Sequence, residues 1–226
     1  MVNKRVEWVV LSKAPVPGRV KTRLIPSLGE QGACNIYEQL LARLKESLKD
    51  VISNTQAFSS QNASLQVPSS QVALWIAGDC HHQAFNSWSS FATFYQQPAQ
   101  GGLNNKAADL GERMAMAVQS SLARGCIPIL IGVDVPDLDE AYLTHCLQQI
   151  IKHDLVISPA EDGGYGLLGM KQFHPQLFAN KCWGTDTVFS ATLGDIQTLK
   201  IKASVLPQVW DVDEIVDVER FRLIQS

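Results

Sequence analysis

"IPILIGVDVPDL" (residues 127–138) is an unbroken apolar run that stops at an aspartate and a proline. It does not alternate, so it reads as a strand buried on both faces, as strands of a parallel sheet are. Asp134 then stands where the strand leaves the sheet. A carboxylate there is either a helix cap or a metal ligand. Asp137 and Asp139, just before "EAYLTHCLQQI", serve better as caps, and Pro136 holds the chain extended ahead of that helix. Asp134 is left free for a metal.

Outward from this strand, the chain alternates strands and helices. "VEWVVLS" (6–12), "QVALWIAG" (71–78), "FATFYQQ" (91–97), "DLVISPA" (154–160) and "LKIKASVLP" (199–207) read as further strands. Leu40, Leu41, Leu44 and Leu48 recur at helical spacing and predict an amphipathic helix over 30–50. A short helix is expected between 79 and 88, and longer ones over 110–124, closed by Gly125, over 139–152, over 185–194 with Thr185 as cap, and over 213–224. Residues 52–70, rich in Ser, Asn and Gln, read as a surface excursion that could close over the site. This order implies an α/β chain: a three-layer Rossmann-like sandwich with a mostly parallel sheet, in a single domain over 1–226. In such sheets ligands bind beyond the carboxyl ends of the strands. The loops at 13–23 and 132–138 therefore share one rim.

Composition narrows the function. The 226 residues are 46% hydrophobic and carry a formal net charge of −3, which fits a globular core and excludes a broadly basic nucleic-acid face. The first apolar run is about six residues, far short of the roughly 20 needed to span a bilayer. Five scattered cysteines with no C-x-x-C pair fit reduced thiols in a cytoplasmic protein. Against this acidic background, Lys13, Arg19, Lys21 and Arg23 gather in a loop braced by Pro15, Pro17 and Pro26. The loop lacks the second glycine of a Walker motif, so a P-loop is excluded. Gly18 can expose backbone N–H groups, and the cations can meet phosphate oxygens. An idle solvated loop is the other reading, and the prolines weigh against it.

Three further constellations have two readings each. Asp211 and Asp213 in "WDVDEIVDVERF" point the same way if the segment is extended; Asp213 could instead cap the last helix. An EF-hand fails, because Val216 stands where glycine is required. Asp162, Gly163, Gly164 and Tyr165 make a hairpin turn, or a bare surface for a base or sugar. Arg113, in the first turn of the helix after Asp109, faces either the site or solvent. "DCHH" (79–82) is a poor zinc site, since four adjacent residues cannot converge tetrahedrally.

The blocks "KAPVPGRVKTRL", "DLGERM", "IGVDVPDL", "PAEDGGYGLLGM" and "WDVDEIVDVERF" together resemble the glycosyltransferase-A-like proteins related to 2-phospho-lactate guanylyltransferase, often labelled radical-SAM/selenodomain-associated transferases. The blocks span residues 13 to about 221. The resemblance implies a nucleotide-diphospho-sugar transferase fold with the nucleotide over the first half of the sheet. It implies phosphate contacts from Lys13, Gly18, Lys21, Thr22, Arg23 and Arg113, with Lys21 and Arg23 acting on the reacting phosphates. It further implies metal ligation by Asp134, Asp211 and Asp213, and a substrate pocket at Asp162, Gly163, Gly164 and Tyr165. The expected activity is Mg²⁺-dependent nucleotidyl transfer from an NTP to a small phosphorylated acceptor, by a monomer or homodimer that binds neither nucleic acid nor membrane. Glycosyl transfer from a nucleotide-sugar and non-catalytic nucleotide binding are the alternatives.

Overall fold

The apolar runs become strands, with the elements in the expected order. The computed structural model of the chain describes residues 5–61, 68–98 and 109–224. Its strands are β1 (Val6–Lys13), β2 (Ser70–Ala77), β3 (Ala92–Gln96), β4 (Ile127–Gly132), β5 (Leu155–Pro159), β6 (Tyr165–Met170) and β7 (Ala203–Val205). The helices are α1 (Ile25–Gln61), α2 (Leu110–Ala123), α3 (Glu140–Lys152), α4 (Val188–Thr198) and α5 (Ile215–Leu223). The seven strands form one sheet in the order β3-β2-β1-β4-β6-β5-β7. Pairing is parallel throughout except that β6 runs antiparallel to both β4 and β5.

Adjacent residues of the central strands serve opposite layers, as the period of two requires. Trp8, Val10, Ile129 and Ile131 pack under Leu40, Leu44 and Leu48 of α1 and Leu143 and Leu147 of α3. Val9, Leu130, Leu155 and Leu168 pack against Met114 and Val118 of α2 and Ile196 of α4. Helices therefore cover both faces. Among the described residues no helix is long and apolar enough to cross a membrane, and all five cysteines are unpaired.

Helix ends follow the side-chain chemistry. Asp109 and Glu112 form a capping box at α2. Asp139 caps α3 through the Tyr142 N–H, while Asp137 instead accepts from the Trp210 indole at 2.9 Å. Gly125 ends α2 at φ +77°.

Four boundaries differ from expectation. Residues 52–61 continue α1 rather than forming an excursion, because Val51 and Thr55 extend the buried stripe of Leu48; residues 62–67 lie outside the described residues. Helix α4 begins at Val188, and Thr185 donates its hydroxyl to the Cys182 carbonyl instead of capping. The strand expected over 199–207 shrinks to Ala203–Val205 behind a left-handed turn at Lys200. Asp213 does not cap α5: its own N–H and that of Glu214 are accepted by Asp217.

Candidate active site

The parallel strands deliver their carboxyl ends to one rim, and the reversal at β6 brings Tyr165 back to it. After β7 the chain runs beside β5, with Leu206 N–H donating to the Ile157 carbonyl and Val209 N–H to Pro159. It then crosses to β4, where the Val212 N–H donates to the Asp134 carbonyl at 3.0 Å. Val212 is buried, so its neighbours Asp211 and Asp213 turn the other way, toward the rim. One backbone hydrogen bond thus brings the tail acids beside the acid that ends β4.

Lys21 meets them. Its ammonium lies 2.9 Å from Asp134 Oδ1 and 3.0 Å from Asp213 Oδ1, and its side chain is only 4% exposed. It donates a hydrogen bond to Asp213. Asp134 Oδ1 is itself buried against the ammonium. The exposed Arg23 guanidinium donates to Asp213 Oδ2 at 2.7 Å. Lys21 sits in left-handed backbone (φ 47°, ψ 45°), unusual for a residue with a long side chain. Burial pulls its pKa down, but the two carboxylates more than offset this and raise it. The Asp211 pKa is raised as well: burial, then the charges of Asp162 and Asp213, push its carboxyl up to about 6.

These residues border a cleft of about 530 Å³. Lys13, Thr22, Arg113, Asp162, Gly164 and Tyr165 also line it. Gly18 and Gly163 do not. Gly18, at φ +78°, shapes the turn ahead of Lys21, and a Cβ on Gly163 would come within 2.3 Å of the Asp186 carbonyl, so that glycine allows close packing of two loops. Arg113 is held by Asp109 and by Gln97, whose buried amide also donates to the carbonyls of Ser12 (3.0 Å) and Trp75 (2.8 Å). The sequence reading overlooked Gln97, Tyr37 and Trp183, which share the lining. Tyr37 is buried at helical spacing and passes for core; Gln97 follows another glutamine with no pattern to distinguish it.

Asp79, Cys80, His81 and His82 form no zinc site: Asp79 accepts from the His81 N–H, and His82 caps a short turn. Among the described residues no three His, Cys, Asp or Glu side chains are gathered as a ready metal cage. The donor chemistry at the rim nonetheless fits Mg²⁺. That ion takes one or two carboxylates, with water and phosphates completing its shell. Asp134 and Asp213 each turn an oxygen toward one cationic point, and Asp134 Oδ1 is buried there.

Comparison with known proteins agrees with the architecture. No curated protein matches the chain in sequence. A provisionally assigned nucleotide-diphospho-sugar transferase from Desulfovibrio desulfuricans G20 is 26% identical, with a TM-score of 0.75 over 95% of this chain and 85% of that one. The 4-diphosphocytidyl-2C-methyl-D-erythritol synthase of Anaerococcus prevotii DSM 20548 aligns over 99% of this chain and 100% of its own at a TM-score of 0.55 and 8% identity. CMP:2-keto-3-deoxy-manno-octonic acid synthetase, solved with CTP, aligns over 98% of both chains at 0.53 and 11%. The fold is that of the nucleotide-diphospho-sugar transferases. A family described as uncharacterized protein conserved in bacteria (DUF2064) matches residues 61–185, more than half of the sequence, and the chain belongs to that family.

Proposed function

We propose that the protein is a Mg²⁺-dependent nucleotidyltransferase, one domain that joins an NTP to a small phosphorylated acceptor and releases pyrophosphate. The observation that carries this reading is the meeting of Lys21 with Asp134 and Asp213 at the mouth of the cleft. A buried cation beside two carboxylates is suited to a metal–polyphosphate, in which both signs of charge must be answered. Asp134 and Asp213 would hold the metal, with Asp211 within electrostatic reach of both. When bound, the ion would draw charge from the phosphate oxygens.

The chain's own residues supply the rest. Lys21 and Arg23 offset charge on the departing pyrophosphate, and Lys13 and Thr22 flank the same phosphates. Arg113, steadied by Gln97, faces the cleft from the α2 side. Gly164 and Tyr165 offer backbone and a ring edge to the acceptor or base. An ionised phosphate needs no general base. Positioning and electrostatics carry the rate.

Asp134→Asn should lower Mg²⁺-dependent pyrophosphate release at least about 100-fold with the fold retained. The assay presents each NTP with phosphorylated acceptors and measures pyrophosphate; wild-type turnover by the variant would reject the assignment. Glycosyl transfer is the second reading, supported by the description of the Desulfovibrio relative. It predicts release of a nucleoside diphosphate from nucleotide-sugars, and no pyrophosphate from NTPs.

A further inference from the structure

The position between Asp134 and Asp213 is taken by an ammonium. Lys21 Nζ lies 2.9 Å from Asp134 Oδ1 and 3.0 Å from Asp213 Oδ1, and its own side chain is only 4% exposed. A divalent ion using the same two oxygens would be repelled by that buried ammonium. The local backbone is bent to this arrangement, since Lys21 occupies left-handed φ and ψ. Arg23 does not substitute for it: its side chain is 69% exposed and it takes the other oxygen of Asp213.

We infer that Lys21 is the resident counter-ion of the metal site, so that metal binds only together with a polyphosphate that accepts the lysine's charge. The inference rests on the proposed use of Asp134 and Asp213 as metal ligands and adds an order of assembly to it. Before a nucleotide enters, Lys21 offsets one of the two negative charges and holds the carboxylates together. When a nucleotide enters, its phosphates give the ammonium a new anionic partner, and the carboxylate oxygens become free for the ion. A lysine suits this exchange because its charge is a single point on a flexible four-carbon stem, able to move from carboxylate to phosphate. A guanidinium fork would hold the carboxylates in fixed bidentate geometry. The consequence is a protein that resists loading by free divalent cations.

The test measures Mn²⁺ binding in the absence of nucleotide, by the loss of the free-ion signal in electron paramagnetic resonance. Wild type, Lys21→Met, Lys21→Gln and Lys21→Met/Asp134→Asn are compared, each checked for fold by circular dichroism. Removing the buried positive charge should tighten Mn²⁺ binding at least about tenfold over wild type, and the added Asp134→Asn should abolish the gain. Lys21→Gln, which keeps a polar head in the same space, provides the reading if the methionine variant fails to fold. Mn²⁺ binding by wild type as tight as by the lysine variants would overturn the inference and leave the proposed function standing. Absence of Mn²⁺ binding by every protein would also overturn it, and Mg²⁺-dependent pyrophosphate release by the same wild-type sample then decides separately whether the proposed function falls with it.

Discussion

Tyr37 is buried in α1, yet its hydroxyl accepts the Lys13 N–H at 2.9 Å and meets the Ser12 hydroxyl at 3.0 Å. Burial, then the nearby Asp134 charge, raises its pKa, so the phenol stays protonated. One hydroxyl thereby anchors the end of β1, from which the cationic loop departs. Tyr37→Phe keeps the ring and strands the Lys13 N–H. We expect a loss of about 1–2 kcal/mol, read as a melting temperature lower by about 2–8 °C; an unchanged melting temperature would show that water replaces the hydroxyl. Residues of this kind were hidden in the sequence. Lys21, Asp134 and Asp213 could be singled out in the sequence as charges in a proline-braced loop, at the end of an apolar strand and in an acidic pair before the last helix. Tyr37 and Gln97 act through single buried hydrogen bonds, and nothing in spacing or polarity separates them from ordinary core and loop residues.

Among the elements, the β5–β6 hairpin had the clearest local signal and still concealed its main contact. The turn behaves as Asp-Gly-Gly predicts: Gly164 N–H donates to Asp162 Oδ1 at 2.8 Å, and Gly163 lies at φ +84°. Its tip docks on the start of α4, with Phe189 N–H donating to the Gly163 carbonyl at 2.9 Å. A Cβ at Gly163 would stand 2.3 Å from the Asp186 carbonyl oxygen and 2.4 Å from its Cα. Gly163→Ala should therefore cost about 2–4 kcal/mol, combining left-handed strain with the forced separation of two loops. Gly125→Ala is the matched control: it shares a positive φ of +77° but meets no atom within 4 Å, and should cost about 1–2 kcal/mol. Equal losses in urea unfolding would show that the docking contributes nothing. The misplaced boundaries have the same origin. The start of α4 is set by packing against this hairpin rather than by a capping threonine, and the extension of α1 through residues 52–61 is carried by a sparse stripe, Val51 and Thr55, inside a polar stretch.

At the scale of the molecule, the alternation of strands and helices was enough to read a mostly parallel sheet, and with it a ligand rim at the strand ends. Strand order was not readable. That β6, rather than β5, lies against β4 follows from long-range pairing of Ile129–Ile131 with Leu167–Gly169, and apolar runs of similar composition do not encode their neighbours. This order matters for binding, because it leaves the segment after β7 free to cross toward β4 and fasten Val212 to Asp134. The rim is thus closed by residues from both ends of the sequence, and a ligand spanning them should stabilise the whole fold. A ligand that binds only the native state at 100 times its Kd adds about 2.7 kcal/mol. For a chain of this length that corresponds to a melting temperature about 5–11 °C higher. Mg²⁺ alone should leave the melting curve nearly unmoved, since the Lys21 ammonium already lies between Asp134 and Asp213; the matching NTP with Mg²⁺ should give the full rise. Chelating the metal with EDTA should remove most of that rise in wild type and change little in Asp134→Asn. A nucleotide shift of the same size with and without metal would separate nucleotide binding from these carboxylates, and would move the protein toward the class of metal-independent binders.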